Sequence, residues 1–77
     1  MLRKGVLADG PEIKRLREDK GWSLRQLGET VEARHETIFY IENGRRCSLA
    51  LLGRIALALG VPARDITAPG DQDRISA

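Results

Sequence analysis

The residues best suited to recognise another molecule lie in a short stretch near the middle of the chain. Ile38 and Ile41 are three residues apart and predict a narrow buried stripe on a short helix. The opposite side of that helix then carries hydrogen-bonding, charged and aromatic groups to the surface. These groups belong to His35, Glu36, Phe39, Tyr40 and Asn43.

The chain has few residues that could support catalysis or hold a metal. It contains one histidine and one cysteine, with no glycine-rich phosphate loop and too small a core for an enclosed pocket. His35 has no neighbouring Cys or His that would complete a metal site. We therefore expect no enzyme activity, no cofactor, no metal and no small-molecule ligand.

Two short helices are expected to position this surface. Ser23 and Gln26 have the spacing of a capping box, which predicts a helix over residues 24–31. The apolar periodicity predicts the outward-facing helix over residues 34–43. Gly28 weakens the first of these helices, and we explain it by a close approach of the second. Two helices joined by a tight turn, with polar and aromatic groups outward, are suited to insertion into a groove.

The rest of the chain predicts three more helices. Asp9 precedes a helix over residues 10–20, and Ser48 caps another over residues 49–59. A short fifth helix is expected over residues 63–67. No strand pattern is present, so the sequence predicts an all-α domain.

Length and composition predict one small domain over residues 9–67, between a flexible arm over residues 1–8 and a disordered tail over residues 68–77. A single cysteine fits a reducing compartment. No apolar run approaches the roughly 20 residues needed to cross a membrane. We therefore expect a cytoplasmic protein with no membrane partner.

The charge is compatible with nucleic acid. Residues 1–46 hold 10 Lys/Arg against 8 Asp/Glu, whereas residues 47–77 hold 3 of each. The excess of positive charge therefore lies in the half that contains the two positioned helices, as expected of an electrostatic footprint.

Several blocks of residues occur together in a recognisable order between Ile13 and Val61. They include Leu16-Arg17, Lys20-Gly-Trp-Ser23, Ile41-Glu42-Asn-Gly-Arg-Arg46, Ser48-Leu49 and Ala58-Leu-Gly-Val61. With these blocks in register, the chain resembles the phage-repressor and Cro type of helix-turn-helix protein, also called the xenobiotic-response-element family.

The resemblance implies a compact five-helix, lambda-repressor-like domain whose third helix enters the major groove of double-stranded DNA. It assigns base reading to three positions and phosphate contact to three more. It also implies that Arg17 pairs with Glu42 and ties the first helix to the third. The base-reading residues would be His35, Glu36 and Tyr40, and the phosphate-contacting residues would be Asn43, Arg45 and Arg46.

The chain departs from the family pattern at three positions. Glu32 stands where the family usually has Gly in the turn, and a strained backbone there would cost about 1 kcal/mol. Leu24 replaces a Gln that contacts phosphate or orients a base reader. Arg34 replaces the Ser or Thr that caps the third helix, and its guanidinium is expected to reach phosphate or guanine in place of the lost contact.

A homodimer is expected from leucines that lie away from the core stripe of the fourth helix. Leu51 and Leu57, together with Ile66, are the predicted interface residues. In the family, C-terminal helices commonly form two-fold dimers. The core stripe of that helix is expected to contain Leu49, Leu52, Ile55, Ala56 and Leu59.

The sequence therefore predicts a sequence-specific, dimeric transcriptional regulator, as a phage-type repressor, a restriction–modification controller or an antitoxin component. The alternative is a protein-interaction module that uses the same scaffold to bind a toxin or a polymerase subunit. Glu36, Phe39 and the absence of Gln at position 24 favour that alternative.

Overall fold

The computed structural model describes residues 5–74 and contains four α-helices in this part of the chain. Two short 3-10 helices follow them, Ala63–Ile66 and Pro69–Arg74. The all-α prediction is confirmed in outline, with two isolated β-bridges as the only β contacts of these residues. The helices are α1 Gly10–Asp19, α2 Leu24–Val31, α3 His35–Glu42 and α4 Leu49–Leu59.

The predicted count of five α-helices is wrong. The segment expected to form the fifth is a single 3-10 turn of four residues, Ala63–Ile66. Pro62 before it and Thr67 after it both have extended backbone, which leaves no room for a full α-helical turn. None of the helices in residues 5–74 is long and apolar enough to cross a membrane.

The predicted caps set where the helices begin. The Asp9 side chain accepts a hydrogen bond from the Glu12 amide at 3.2 Å and begins α1. At α2, the Ser23 hydroxyl accepts from the Gln26 amide at 3.1 Å, and the Gln26 side chain accepts from the Ser23 amide at 2.7 Å. Ser48 caps α4 in the same way through the Leu51 amide. Each cap satisfies backbone donors that the helix itself cannot pair.

One apolar core joins the four helices and the 3-10 turn. The prediction for α4 is wrong at two positions: Leu51 is buried and Leu49 is 48% exposed. Leu51 lies on the buried face of α4 because it is four residues before Ile55 and eight before Leu59. The fully buried large side chains are Ile13, Leu27, Ile38, Ile41, Leu52, Ile55 and Ile66, with Val6 and Val31 beside them.

The segment before α1 is part of this core. Val6 is fully buried and exchanges two backbone hydrogen bonds with Cys47, at 2.8 and 2.9 Å. Ala8 is also buried and forms a bridge with Thr67. The structure thus differs from the expected flexible arm over residues 5–8, and residues 1–4 of that arm lie outside the described residues.

The segment after the 3-10 turn also contacts the domain. The Ala68 amide donates to the Leu7 carbonyl at 2.9 Å, and the Asp71 carboxylate accepts from the Leu7 amide at 2.7 Å. Residues 69–74 form a 3-10 helix where a disordered tail was expected. Residues 75–77 of that tail lie outside the described residues.

Candidate functional site

The outward-facing helix α3 is held closely against α2. A Cβ added to Gly28 would lie 2.7 Å from the Ala33 carbonyl oxygen and 3.2 Å from the His35 nitrogen. The Ala33 amide also donates to the Gly28 carbonyl at 2.8 Å. Only glycine permits this approach, which is made by the turn before α3 and by the first residue of that helix.

The turn between α2 and α3 contains a left-handed residue. Glu32 has φ 60° and ψ 43°, and it is the only non-glycine residue with positive φ in residues 5–74. Arg34 follows at the N-cap of α3 with extended backbone and makes no side-chain capping bond. Its guanidinium is therefore not engaged in capping, and the side chain is exposed at the start of α3.

A buried ion pair fixes the other end of α3. Arg17 Nε donates to Glu42 Oε2 at 2.7 Å, and Nη2 donates to Glu42 Oε1 at 3.2 Å. The remaining Nη1 donates to the Trp22 carbonyl at 2.8 Å. The hydrogen bond to Glu42 raises the pKa of Arg17 against the opposing effect of burial. This is the brace that the family resemblance implies.

The predicted base-reading side chains lie on the outer side of α3. Glu36 and Tyr40 are exposed, and His35 is partly exposed, with its Nδ1 3.5 Å from Glu36 Oε1. Ile38 and Ile41, on the inner side, are at most 1% exposed. The three polar and aromatic groups are therefore together on a surface that this monomer leaves open.

An aromatic cluster extends that surface toward the end of α3. The Phe39 and Tyr40 rings are 49% and 48% exposed and meet edge to face, with centroids 5.6 Å apart. The Arg45 guanidinium lies 5.5 Å from the centroid of the Tyr40 ring. This stacking was not predicted from the sequence, although an aromatic residue near a helix end followed by Gly44-Arg45 is compatible with it. Asn43 is exposed, and its side-chain amide donates to the Phe39 carbonyl at 2.7 Å.

The cations assigned to phosphate differ in how accessible they are. Arg34 and Arg45 are exposed at opposite ends of α3. Arg46 is only partly exposed, and its Nη1 donates to Asp71 at 2.8 Å and to the Gly5 carbonyl at 3.4 Å. Arg46 therefore contacts segments near both ends of the described chain, and its assignment to phosphate contact stays a prediction.

The three residues predicted for the dimer interface do not share one surface. Leu51 and Ile66 are 9% and 0% exposed and belong to the core of the monomer. The prediction that Leu51 faces away from the core is wrong, because it lies on the inner side of α4. Leu57 is 84% exposed, which makes it the most exposed large apolar residue among the described residues.

A groove of about 460 Å³ lies between the start of α1 and the end of α3. Both carboxylates that line it are already engaged, because Glu42 is paired with Arg17 and Asp9 accepts a hydrogen bond from the Glu12 amide. No group of three or more His, Cys, Asp or Glu in residues 5–74 could hold a metal ion. The two exposed aromatic rings of residues 5–74, Phe39 and Tyr40, belong to α3 and not to this groove.

Comparison with known proteins agrees with this arrangement. The sequence profile of the family described as helix-turn-helix matches residues 13–66, more than half of the chain. No curated protein matches the sequence. Among solved structures, the chain is similar to the biofilm master regulator SinR in complex with DNA, with a TM-score of 0.65 and 28% identity over 70% of this chain and 89% of that one.

A second solved structure supports the fold alone. It is a hypothetical transcription factor, NHTF, from Neisseria, with a TM-score of 0.69 and 20% identity over 88% of this chain and 80% of that one. The chain belongs to the Cro/C1-type helix-turn-helix family of DNA-binding transcription regulators.

Proposed function

We propose that this protein binds a specific sequence of double-stranded DNA as a homodimer and acts as a transcriptional repressor. The observation that carries the proposal is the outer side of α3, where His35, Glu36 and Tyr40 lie together and unobstructed. An α-helix fits the major groove, whose base edges present a distinct pattern for each base pair. Binding needs no catalysis, since occupancy of the site blocks polymerase.

Each side chain at this surface can make a DNA contact that suits its chemistry. Glu36 can accept a hydrogen bond from cytosine N4, and His35 can donate to a base or a phosphate. Tyr40 offers a ring edge to a thymine methyl group. Arg34 and Arg45, at the two ends of α3, would neutralise phosphates on either side of the groove.

The dimer is supported by the exposed Leu57 on α4. A large apolar side chain left in water favours a partner surface, and two-fold dimers of this family type read half-sites about 34 Å apart. In such a dimer, occupancy of the DNA would follow protein concentration through dimerisation. This fits a phage-type repressor, a restriction–modification controller or an antitoxin component. The similar protein SinR was solved in complex with DNA, which supports DNA as the partner.

A protein-interaction module remains the second candidate. The exposed Phe39 ring and the Glu36 carboxylate would suit a protein groove as well as a DNA groove. The partner would be a toxin or a polymerase subunit, bound through the same side of α3.

Selection of duplexes from a random pool, followed by titration at several salt concentrations, distinguishes DNA binding from the protein-interaction module. The exposed arginines at the two ends of α3, Arg34 and Arg45, predict a dimer that contacts about four phosphates or more. An affinity loss on the order of 10²-fold between 50 and 200 mM salt is then expected. Enrichment of one sequence with that salt dependence supports the proposal. Failure to enrich any duplex would reject it in favour of the second candidate.

A further inference from the structure

Arg45 returns to the end of α3 through a tight reversal of the chain. Gly44 has φ 103°, a conformation that residues with side chains rarely adopt. The reversal lets the Arg45 amide donate to the Tyr40 carbonyl at 2.9 Å. The backbone therefore fixes where the Arg45 side chain begins, directly beside the Tyr40 ring.

The Arg45 guanidinium then lies over that ring, 5.5 Å from its centroid. Phe39 meets the same ring edge to face at 5.6 Å. A cation over an aromatic face and an edge-to-face pair are both attractive arrangements. Tyr40 is half exposed, so these two contacts, rather than burial in the core, restrict its rotamer.

A stacked guanidinium can still bind phosphate. Its N–H donors lie in the plane of the group, whereas the contact with the ring uses the face. A phosphate held in that plane would therefore leave the face of the guanidinium free to contact the ring. One residue can then serve both the DNA backbone and the base-reading surface.

We propose that Arg45 positions the Tyr40 ring against the methyl group of a thymine, and so contributes to base preference as well as to phosphate binding. The inference rests on the proposed function, because it requires a selected DNA site. Thymine is the only base with a methyl group in the major groove, and its apolar surface matches the edge of the ring.

The test replaces single thymines of the selected site by uracil, which lacks only that methyl group. For the parent protein, one substitution should weaken binding by about fourfold, as expected for the loss of one buried methyl group. For Arg45→Ala, the same change from thymine to uracil should lower the affinity less than about twofold, because the Tyr40 ring is no longer held. Arg45→Lys keeps the charge but not the planar face, so it should retain most of the affinity and lose most of the uracil penalty.

Arg34→Ala is the matched control, because it removes an exposed arginine at the opposite end of α3. It should weaken binding to the thymine and uracil duplexes alike and keep the fourfold difference. An unchanged difference in Arg45→Ala would overturn the inference while leaving the proposed function intact. Failure to select any duplex would overturn both.

A measurement without DNA checks the geometry itself. Protons of the Arg45 side chain should show upfield NMR shifts from the Tyr40 ring, and Tyr40→Leu should abolish them. Shifts equal to those of an arginine in an unfolded peptide would also overturn the inference, since the ring would then not be held.

Discussion

Arg17 and Glu42 form a two-point ion pair in which Nε and Nη2 of the arginine donate to both carboxylate oxygens, at 2.7 and 3.2 Å. The pair joins α1 to the end of α3, and both residues are less than a tenth exposed. Its main effect is on orientation, because desolvation offsets much of the attraction between buried charges. The direction in which α3 presents its outer side therefore depends on this pair.

Removal of one partner should be far more damaging than removal of both. Arg17→Ala leaves the Glu42 carboxylate buried without its cation, and we expect a loss of about 3–5 kcal/mol in the free energy of unfolding. The double variant Arg17→Met/Glu42→Leu fills a similar volume without charge, so its free energy of unfolding should fall much less. Urea denaturation followed by circular dichroism measures both. A loss below 1 kcal/mol for Arg17→Ala would show that the pair is not a brace.

Gly10 and Gly53 provide a matched pair of glycine-to-alanine substitutions in helices. A Cβ at Gly10 would overlap the Glu42 carbonyl oxygen and lie 2.6 Å from its carbonyl carbon, whereas a Cβ at Gly53 would meet nothing within 4 Å. Gly10→Ala should therefore destabilise the fold by about 2 kcal/mol. Gly53→Ala should stabilise it by up to about 1 kcal/mol, since alanine is the better helix former. The midpoint temperature of thermal unfolding should fall for Gly10→Ala and rise for Gly53→Ala. Equal shifts in the two variants would contradict the close contact of α1 with α3.

The left-handed backbone of Glu32 predicts that a glycine at this position will stabilise the fold. Its left-handed backbone is unfavourable for a residue with a Cβ, so Glu32→Gly should raise the free energy of unfolding by about 0.5–1 kcal/mol after the entropy cost of glycine. Glu29→Gly, in the interior of α2, should instead lower it by about 1 kcal/mol. If both variants lose stability equally in urea denaturation, the turn does not have this conformation.

The burial of Cys47 predicts that the stability of the fold depends on pH in the alkaline range. Burial raises the pKa of its thiol above the ordinary value of 9.0. Because the neutral thiol is favoured in the folded protein, this contribution to stability is complete below pH 9 and is lost as pH rises from 9.0 to the higher folded value. Alkylation by iodoacetamide at pH 8 should also be slow, since each added pKa unit lowers the thiolate fraction about tenfold. Equal rates for the folded and the urea-unfolded protein would contradict the burial of Cys47.

The local features of the fold could be predicted because their signals lie within a few residues. The capping box of Ser23 and Gln26 and the close contact at Gly28 follow from the residue types and their spacing. The exposed side of α3 follows from Ile38 and Ile41, which leave the neighbouring positions outside. Glu32 was recognised as a strained position only through the family resemblance.

The contacts between the chain ends could not be predicted in the same way. Leu7 and Asp71 are 64 residues apart, and neither has a local signal for the hydrogen bond that joins them. The pairing of Arg46 with Asp71 depends on that same distant contact. The position of Leu51 was misjudged because Leu49 and Leu51 both have apolar residues at helical spacing after them: Leu49 has Leu52 and Ala56, and Leu51 has Ile55 and Leu59. In a helix so rich in leucine and alanine, the spacing alone does not show which of the two faces the core.

The central claim is that α3 reads bases through its outer side, and the most direct measurement is duplex selection by the parent protein and by Tyr40→Ala in parallel. The parent should enrich one sequence, and Tyr40→Ala should lose preference at one or two base pairs of it while keeping the others. Identical enriched sequences for the two proteins, bound with equal affinity, would contradict the claim.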